Sequence, residues 1–245
     1  MTVSSRASCL LAGFILATGF TATAFGEFAQ GFNAALAAAD RPSEEKERDL
    51  SRRPSEVLEF MGIEAGMTVL ELFAGGGWYT EVLSAAVGPN GMIYAQNPER
   101  FRERLGEAPS ARATRLGNVE VFYTLGTDID LQVPADAAFT ALNLHDYANR
   151  GDQAGLDFLA GIYDALAPGG VLGVVDHVGT VGHDNTELHR MDLLKAQQLL
   201  TSAGFVIDGV SNILGNSSDD HTLGIRDPSI RYNTDRMLLR ARKPE

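Results

Sequence analysis

The 245-residue chain is short of cysteine, of positive charge and of long apolar runs, and each shortage excludes something. Its single cysteine, Cys9, precedes the apolar run Leu10–Phe20. A disulfide framework is therefore excluded, and so is a lipoprotein cleavage site, which needs its cysteine after such a run. With 20 Lys and Arg against 32 Asp and Glu, the net charge is −12 at pH 7. A surface of that sign repels phosphate backbones and anionic lipid, which argues against nucleic acid as a partner. Leu10–Phe20 spans 11 residues, well short of the ~20 that a membrane-crossing helix needs.

What the N-terminus does have is Arg6, the apolar run and the small-x-small triplet Ala22-Thr23-Ala24. Together they predict a secretory signal peptide over residues 1–24 and a periplasmic or secreted mature chain from Phe25, with an uncleaved membrane anchor as the alternative. There is no twin-arginine pair. Removing residues 1–24, whose only charge is Arg6, leaves a cysteine-free chain of net charge −12 − 1 = −13 with no stable membrane insertion expected. The sequence is silent on oligomeric state.

Residues 25–62 read as a helical extension: Pro42-Ser43-Glu44-Glu45 and Pro54-Ser55-Glu56 each open a short helix, and Gly62 stops the second. Residues 63–245 read as the ligand-binding domain. Strands are expected at Thr68–Phe73, Met92–Gln96, Val119–Leu125, Ala138–Leu144 and Val171–Asp176. Helices are expected at Trp78–Val87, near Glu99–Leu105, at Gln153–Leu166 and from about Thr186 to Ala203. Strands alternating with helices imply a doubly wound, mostly parallel sheet. The last two strands, Phe205–Leu214 and Met237–Arg242, are joined by a loop alone and should run antiparallel.

The first strand ends Glu71-Leu72-Phe73 and passes through Gly75, Gly76 and Gly77 into a helix, where missing Cβ atoms let a ligand reach backbone N–H groups. A dinucleotide and S-adenosylmethionine compete for this turn. Thr80 stands where the dinucleotide fingerprint has its third glycine, and Glu71 would repel a pyrophosphate but attract an ammonium group. A side chain at Gly77 is expected to fill ligand space and, if φ there is positive, to strain the turn.

VLELFAGGGWYTEVL resembles the first motif of class I S-adenosylmethionine-dependent methyltransferases, and LAPGGVLGVVDH resembles their turn before the fifth strand. Over roughly residues 40–243 the chain is similar to a bacterial group of exported, predicted methyltransferases, in DRPSEEKERDLSRRPSEVLEF, IYAQNP and TDRMLLRARKP. The resemblance implies a Rossmann-like, seven-stranded sheet with an antiparallel last strand, and S-adenosylmethionine as cofactor. It implies Glu71 near the methionine ammonium, Phe73 at the cofactor side of the strand end and the Gly75–Gly77 backbone near the carboxylate. Gln96 and Asn97 stand where an acidic residue usually meets the ribose hydroxyls, and Asp128 is a candidate for the adenine amino group.

On the acceptor side, His145 and Asp146 follow the fourth strand, and Asp176 and His177 end the fifth. His145 reads either as a general base or as a loop residue bonded to backbone. Asp146 is a capping residue or a site residue, and Asp176 and His177 are placed for function. His183 and His221 are expected at the surface, and His189-Arg190 on a solvated helix face. Asp146 with Asp176 and His177 only partly mimics the magnesium ligands of catechol-type methyltransferases, so no metal is expected. No Asn-Pro-Pro-Tyr motif, the usual signal for amide or adenine-amine methylation, is found. The sequence thus points to methyl transfer onto a small molecule, with oxygen preferred as acceptor. An exported binding protein without turnover and a nicotinamide-dependent oxidoreductase are the rival readings.

Overall fold

The computed structural model describes residues 31–37 and 39–245, so the expected signal peptide lies outside the described residues. Four helices precede the sheet: α1 over residues 31–37, then α2 (Ser43–Glu47), α3 (Asp49–Arg52) and α4 (Pro54–Met61). Pro54 opens α4 with its fixed φ, and Gly62 closes it at φ 72°, a left-handed conformation that glycine adopts without strain.

The alternation that follows is β1 (Thr68–Leu72), α5 (Trp78–Val87), β2 (Met92–Asn97), α6 (Arg102–Leu105), α7 (Ala108–Leu116), β3 (Val119–Tyr123) and β4 (Ala135–Ala141). It continues with α8 (Leu144–Ala148), α9 (Asp152–Ala165), β5 (Leu166–His177), α10 (Leu193–Ser202), β6 (Val206–Ser211) and β7 (Arg236–Arg242). The strands form one seven-stranded sheet in the order β3-β2-β1-β4-β5-β7-β6. The first five are parallel, and β7 runs antiparallel to both β5 and β6.

Apolar residues cover both faces of the sheet. Leu144, Phe158 and Leu199 bring α8, α9 and α10 onto one face. Phe32, Val57, Leu58, Met61, Val82 and Leu83 bring α1, α4 and α5 onto the other. Of the N-terminal helices, α1 and α4 are therefore part of the core, while α2 and α3 bury no residue. Met61 presses so close to β5 that a Cβ at Gly173 would stand 2.2 Å from its Cε.

Four local expectations change. α7 was not anticipated, because its sequence is polar and buries only Pro109. β4 lies three residues earlier than expected, as its Ala-rich sequence carries little strand signal and its central place between β1 and β5 decides instead. Pro168-Gly169-Gly170 does not precede the fifth strand but sits inside β5, where the pairing with β4 shifts register between Ala135 and Ala137. The helix expected from Thr186 begins at Leu193, because Met191 first bridges to Val178 and Asp192 then caps the helix through the Lys195 N–H at 2.8 Å.

The Met61–Gly173 approach gives a test of how α4 docks. Gly173→Val should destabilise the protein by ~1–3 kcal/mol through overpacking, and Met61→Ala in the same chain should recover part of that loss. Denaturant titrations of the four members of the cycle would measure it; strictly additive effects would show that the two residues do not meet.

Candidate functional site

The strand order reverses between β1 and β4, the position where doubly wound sheets bind ligands beyond their carboxyl ends. A cavity of about 180 Å³ opens there, lined by Glu71, Phe73 and Gly76 from the β1 end, Leu142 from the β4 end and Arg48 and Arg52 from the N-terminal helices. Gly76 has open space where a Cβ would project, and Gly75, at φ 60°, meets only the Phe73 carbonyl at 3.8 Å. Gly75 N–H donates to Asn97 Oδ1 at 2.8 Å and Gly77 N–H to the Ala74 carbonyl at 3.0 Å, which leaves the Gly76 N–H for a ligand.

Gly77 has the positive φ that makes a side chain costly there, and a side chain of the fold crowds it. At φ 89°, its Cβ would stand 2.8 Å from Arg112 Cδ, and Arg112 ties Glu81 of α5 to Glu45 of α2. A side chain at Gly77 would thus strain the turn and disturb an ion network instead of filling ligand space. Phe73 also holds a left-handed backbone, at φ 55°, which costs a non-glycine residue ~1–2 kcal/mol. Its ring packs edge-on against Phe101, Tyr147 and Phe158, so one side of the turn is walled by aromatic rings.

Glu71 is buried, and its carboxylate accepts from Thr80 Oγ1 at 2.5 Å. Burial pushes its pKa up to about 7, although Thr80, Arg112 and Arg52 all favour the charged form. A carboxyl so poised gains from a ligand cation. Gln96 is fully committed within the fold, accepting from Phe73 N–H at 3.1 Å and donating to the Thr124 carbonyl at 2.7 Å. Asn97 holds the glycine turn through Oδ1 while its buried Nδ2 has no partner, a donor left over at the end of β2. Asp128 is exposed on the loop after β3. Glu71, the Gly76 N–H, Arg52 and the spare Asn97 donor together fit a ligand with an ammonium, a carboxylate and hydroxyl groups.

Beyond the ends of β4 and β5 the structure brings His145, Asp146, Asp176 and His177 together. Asp176, fully buried, accepts from His145 N–H at 2.8 Å, His145 Nδ1 at 2.7 Å and His177 N–H at 2.8 Å. Burial works against this carboxylate, but the His145 charge and the donors outweigh it and hold its pKa below the usual range. Burial likewise disfavours the His145 imidazolium, and the Asp176 charge and hydrogen bond overcome it and raise the pKa. Burial pushes the His177 imidazole down to about 3 against the pull of Asp176. His177 is therefore neutral at physiological pH, with Nδ1 bonded to Thr234 Oγ1 at 2.7 Å.

His189, expected on a solvated helix face, instead joins this group. His145 Nε2 lies 3.5 Å and His189 Nδ1 3.7 Å from Asp146 Oδ1, and one ligand atom from each of the three residues falls within 4.8 Å of the others. Its neighbour Arg190 is fully buried and pairs with both oxygens of Asp219 at 2.9 Å. His221 is half-buried and bonds Asp235 Oδ2 at 2.8 Å, while His183 is exposed as expected. Arg190, Asp219 and Asp235 pin the long loop before β7, whose residues wall a second cavity of about 360 Å³. The two cavities share Arg48, Arg52 and Leu142. The arginines were missed because nothing local in their sequence marks them as neighbours.

No protein-family model matches the chain, and no curated protein matches it. Solved structures do. A SAM-dependent methyltransferase from Aquifex aeolicus superposes with a TM-score of 0.59 at 22% identity, covering 84% of this chain and 100% of that one. The [4+2]-cyclase SpnF superposes at 0.58 with 20% identity over 79% of this chain and 80% of that one. A SAM-dependent O-methyltransferase from Thermotoga maritima superposes at 0.53 with 16% identity over 79% and 65%. The sheet order and these likenesses define the class of fold, the Rossmann-like fold of class I methyltransferases.

Two outcomes are expected at the glycine turn. With its pKa about 7, Glu71 is about half protonated at pH 7, and an ammonium ligand would ionise it. Binding should then release roughly half a proton per ligand at pH 7, and affinity should rise from about pH 5.5 to about pH 6.5, below the range where the ligand's own amino group titrates. Calorimetry in buffers of differing ionisation enthalpy would detect this; a release that persists in Glu71→Gln would assign the proton elsewhere. Gly76→Val should abolish binding of the same ligand with little change in melting temperature, whereas Gly77→Val should lower stability as well.

Proposed function

We propose that this protein transfers the methyl group of S-adenosylmethionine to a small-molecule acceptor, with an oxygen nucleophile preferred, and that it acts outside the cytoplasm after export by its N-terminal segment. The observation that carries the reading is the buried Glu71 carboxyl on the wall of a cavity beside an open glycine turn, at the switch point of the sheet. Neither a dinucleotide pyrophosphate nor a plain apolar ligand gives that carboxyl a purpose. When bound, S-adenosylmethionine supplies a sulfonium methyl that is already activated for displacement.

The remaining work falls to the chain. Glu71 pairs with the ammonium, while Arg52 and the Gly76 N–H hold the carboxylate. The spare Asn97 Nδ2 donates to a ribose hydroxyl, and the rings around Phe73 exclude water on the adenosine side. Positioning supplies much of the rate when the leaving group is this reactive. His177 reaches the acceptor cavity in a neutral state, so it orients the acceptor by hydrogen bonding. His145, whose basicity Asp176 raises, takes up the acceptor's proton. The fold by itself does not choose the reaction, since a [4+2]-cyclase shares it.

Calorimetric titration with S-adenosylmethionine, S-adenosylhomocysteine and NAD tests the cofactor. Binding of NAD alone overturns the reading, and adenosyl binding without turnover over a broad acceptor panel favours an exported binding protein. For the base, His145→Ala should lower turnover by roughly 10²- to 10⁴-fold at nearly unchanged cofactor affinity.

One observation favours a second mechanism. His145, Asp146 and His189 are spaced as a two-histidine, one-carboxylate set suited to a transition metal, with Asp176 orienting His145 from behind. In that version, His189→Ala abolishes both activity and cobalt binding, and a chelator silences the wild type. Full turnover in His145→Ala together with indifference to chelation would exclude both versions.

A further inference from the structure

The second cavity is walled by Arg48, Arg52, Arg226, Arg231 and Arg236, together with His177, Thr234 and Tyr232, and no carboxylate lines it. In a chain of net charge −12 that is an unusual place. Most described arginines elsewhere pair with a carboxylate, as Arg41 does with Asp49, Arg190 with Asp219 and Arg240 with Asp208, while Arg100, Arg104 and Arg150 lie over aromatic rings. Among the described residues, none of the five cavity arginines makes a salt bridge, and two of them, Arg48 and Arg231, instead flank the ring of Tyr232 at 5.4 and 5.0 Å.

Arg236 is the sharpest case. It is only 7% exposed, donates once to the Ser51 carbonyl at 2.6 Å, and leaves its buried Nε without a partner. The adjacent carboxylate, Asp235, is engaged by His221 Nε2 and by the Asn216 N–H, each at 2.8 Å. A buried guanidinium with neither counter-ion nor full hydrogen bonding is costly unless a ligand completes it. The planar fork of arginine suits a carboxylate or a phosphate.

We propose that this cavity binds the anionic group, carboxylate or phosphate, of the methyl acceptor. The proposal rests on the methyl-transfer reading above and adds the chemical class of its substrate. The geometry fits: the cavity adjoins the glycine-turn cavity through Arg48, Arg52 and Leu142 and contains His177 from the end of β5. An anion held by Arg226, Arg231 and Arg236 leaves the rest of a small molecule pointing toward the methyl donor. The volume, about 360 Å³, is in the range of small-molecule pockets.

Inorganic phosphate is the probe, measured by calorimetry and thermal shift against chloride at constant ionic strength. Arg226→Gln and Arg231→Gln are the variants, because both residues are exposed and fold stability does not depend on them. Phosphate should bind the wild type selectively, each variant should lose about tenfold or more in affinity, and S-adenosylhomocysteine affinity should stay within about twofold. Phosphate affinity equal in wild type and variants, or no preference over chloride, overturns the proposal. Competition between phosphate and S-adenosylhomocysteine, with both weakened in the variants, also overturns it, because the arginines would then serve the cofactor carboxylate. Arginine-dependent phosphate binding in a protein that binds no adenosyl ligand keeps the anion site and refutes only the methyl-transfer reading.

Discussion

The Asp176 carboxylate holds the site together. It sits at the end of β5 and accepts the main-chain N–H of His145, which opens the chain beyond β4, and of His177, its own neighbour. One buried ion therefore fixes the carboxyl ends of two adjacent strands and the orientation of one imidazole. An isolated carboxylate could not remain charged there; two main-chain donors and a basic ring make the ionised form the stable one. Removing it would release His145 and slacken the junction from which both histidines project.

Around that junction the charges are sorted by purpose. Acidic groups that are buried have work inside the fold: Glu81 binds Arg112 and Arg115, and Asp219 binds Arg190. Two groups on the cavity walls differ: burial pushes Glu71 toward neutrality, and Arg236 has no counter-ion. Proteins tolerate such frustration mainly where a ligand relieves it.

Much of the fold was legible in the sequence. The run from Thr68 through the glycines to Val87 has strand, turn and helix signals in register with the structure, and Pro54 and Gly62 bracket α4 as residue chemistry requires. α7 was not legible because its polar face touches little of the core, and β4 was misplaced because alanine says little about strands. At the site, the residues at strand ends could be named from their position, as Glu71, His145 and Asp176 were. His189 and the arginine cavity could not, since their members come from the α2–α3 junction, α3, the loops after β5 and before β7, and β7 itself, and meet only through tertiary packing. The left-handed backbone of Phe73 had no sequence signal either, because glycine is the residue that advertises it.

The earliest helices of the domain dock on its last strand. Arg236 donates to the Ser51 carbonyl across 185 residues of chain, and Arg240 to the Phe60 carbonyl across 180. Both cavities use Arg48 and Arg52 as walls, so neither exists until β7 has entered the sheet. Contacts of such long separation are slow to form, because loop closure precedes their reward. The binding site is consequently a late product of folding. A chain still emerging from its ribosome has the glycine turn but neither of the cavities that Arg48 and Arg52 help to wall.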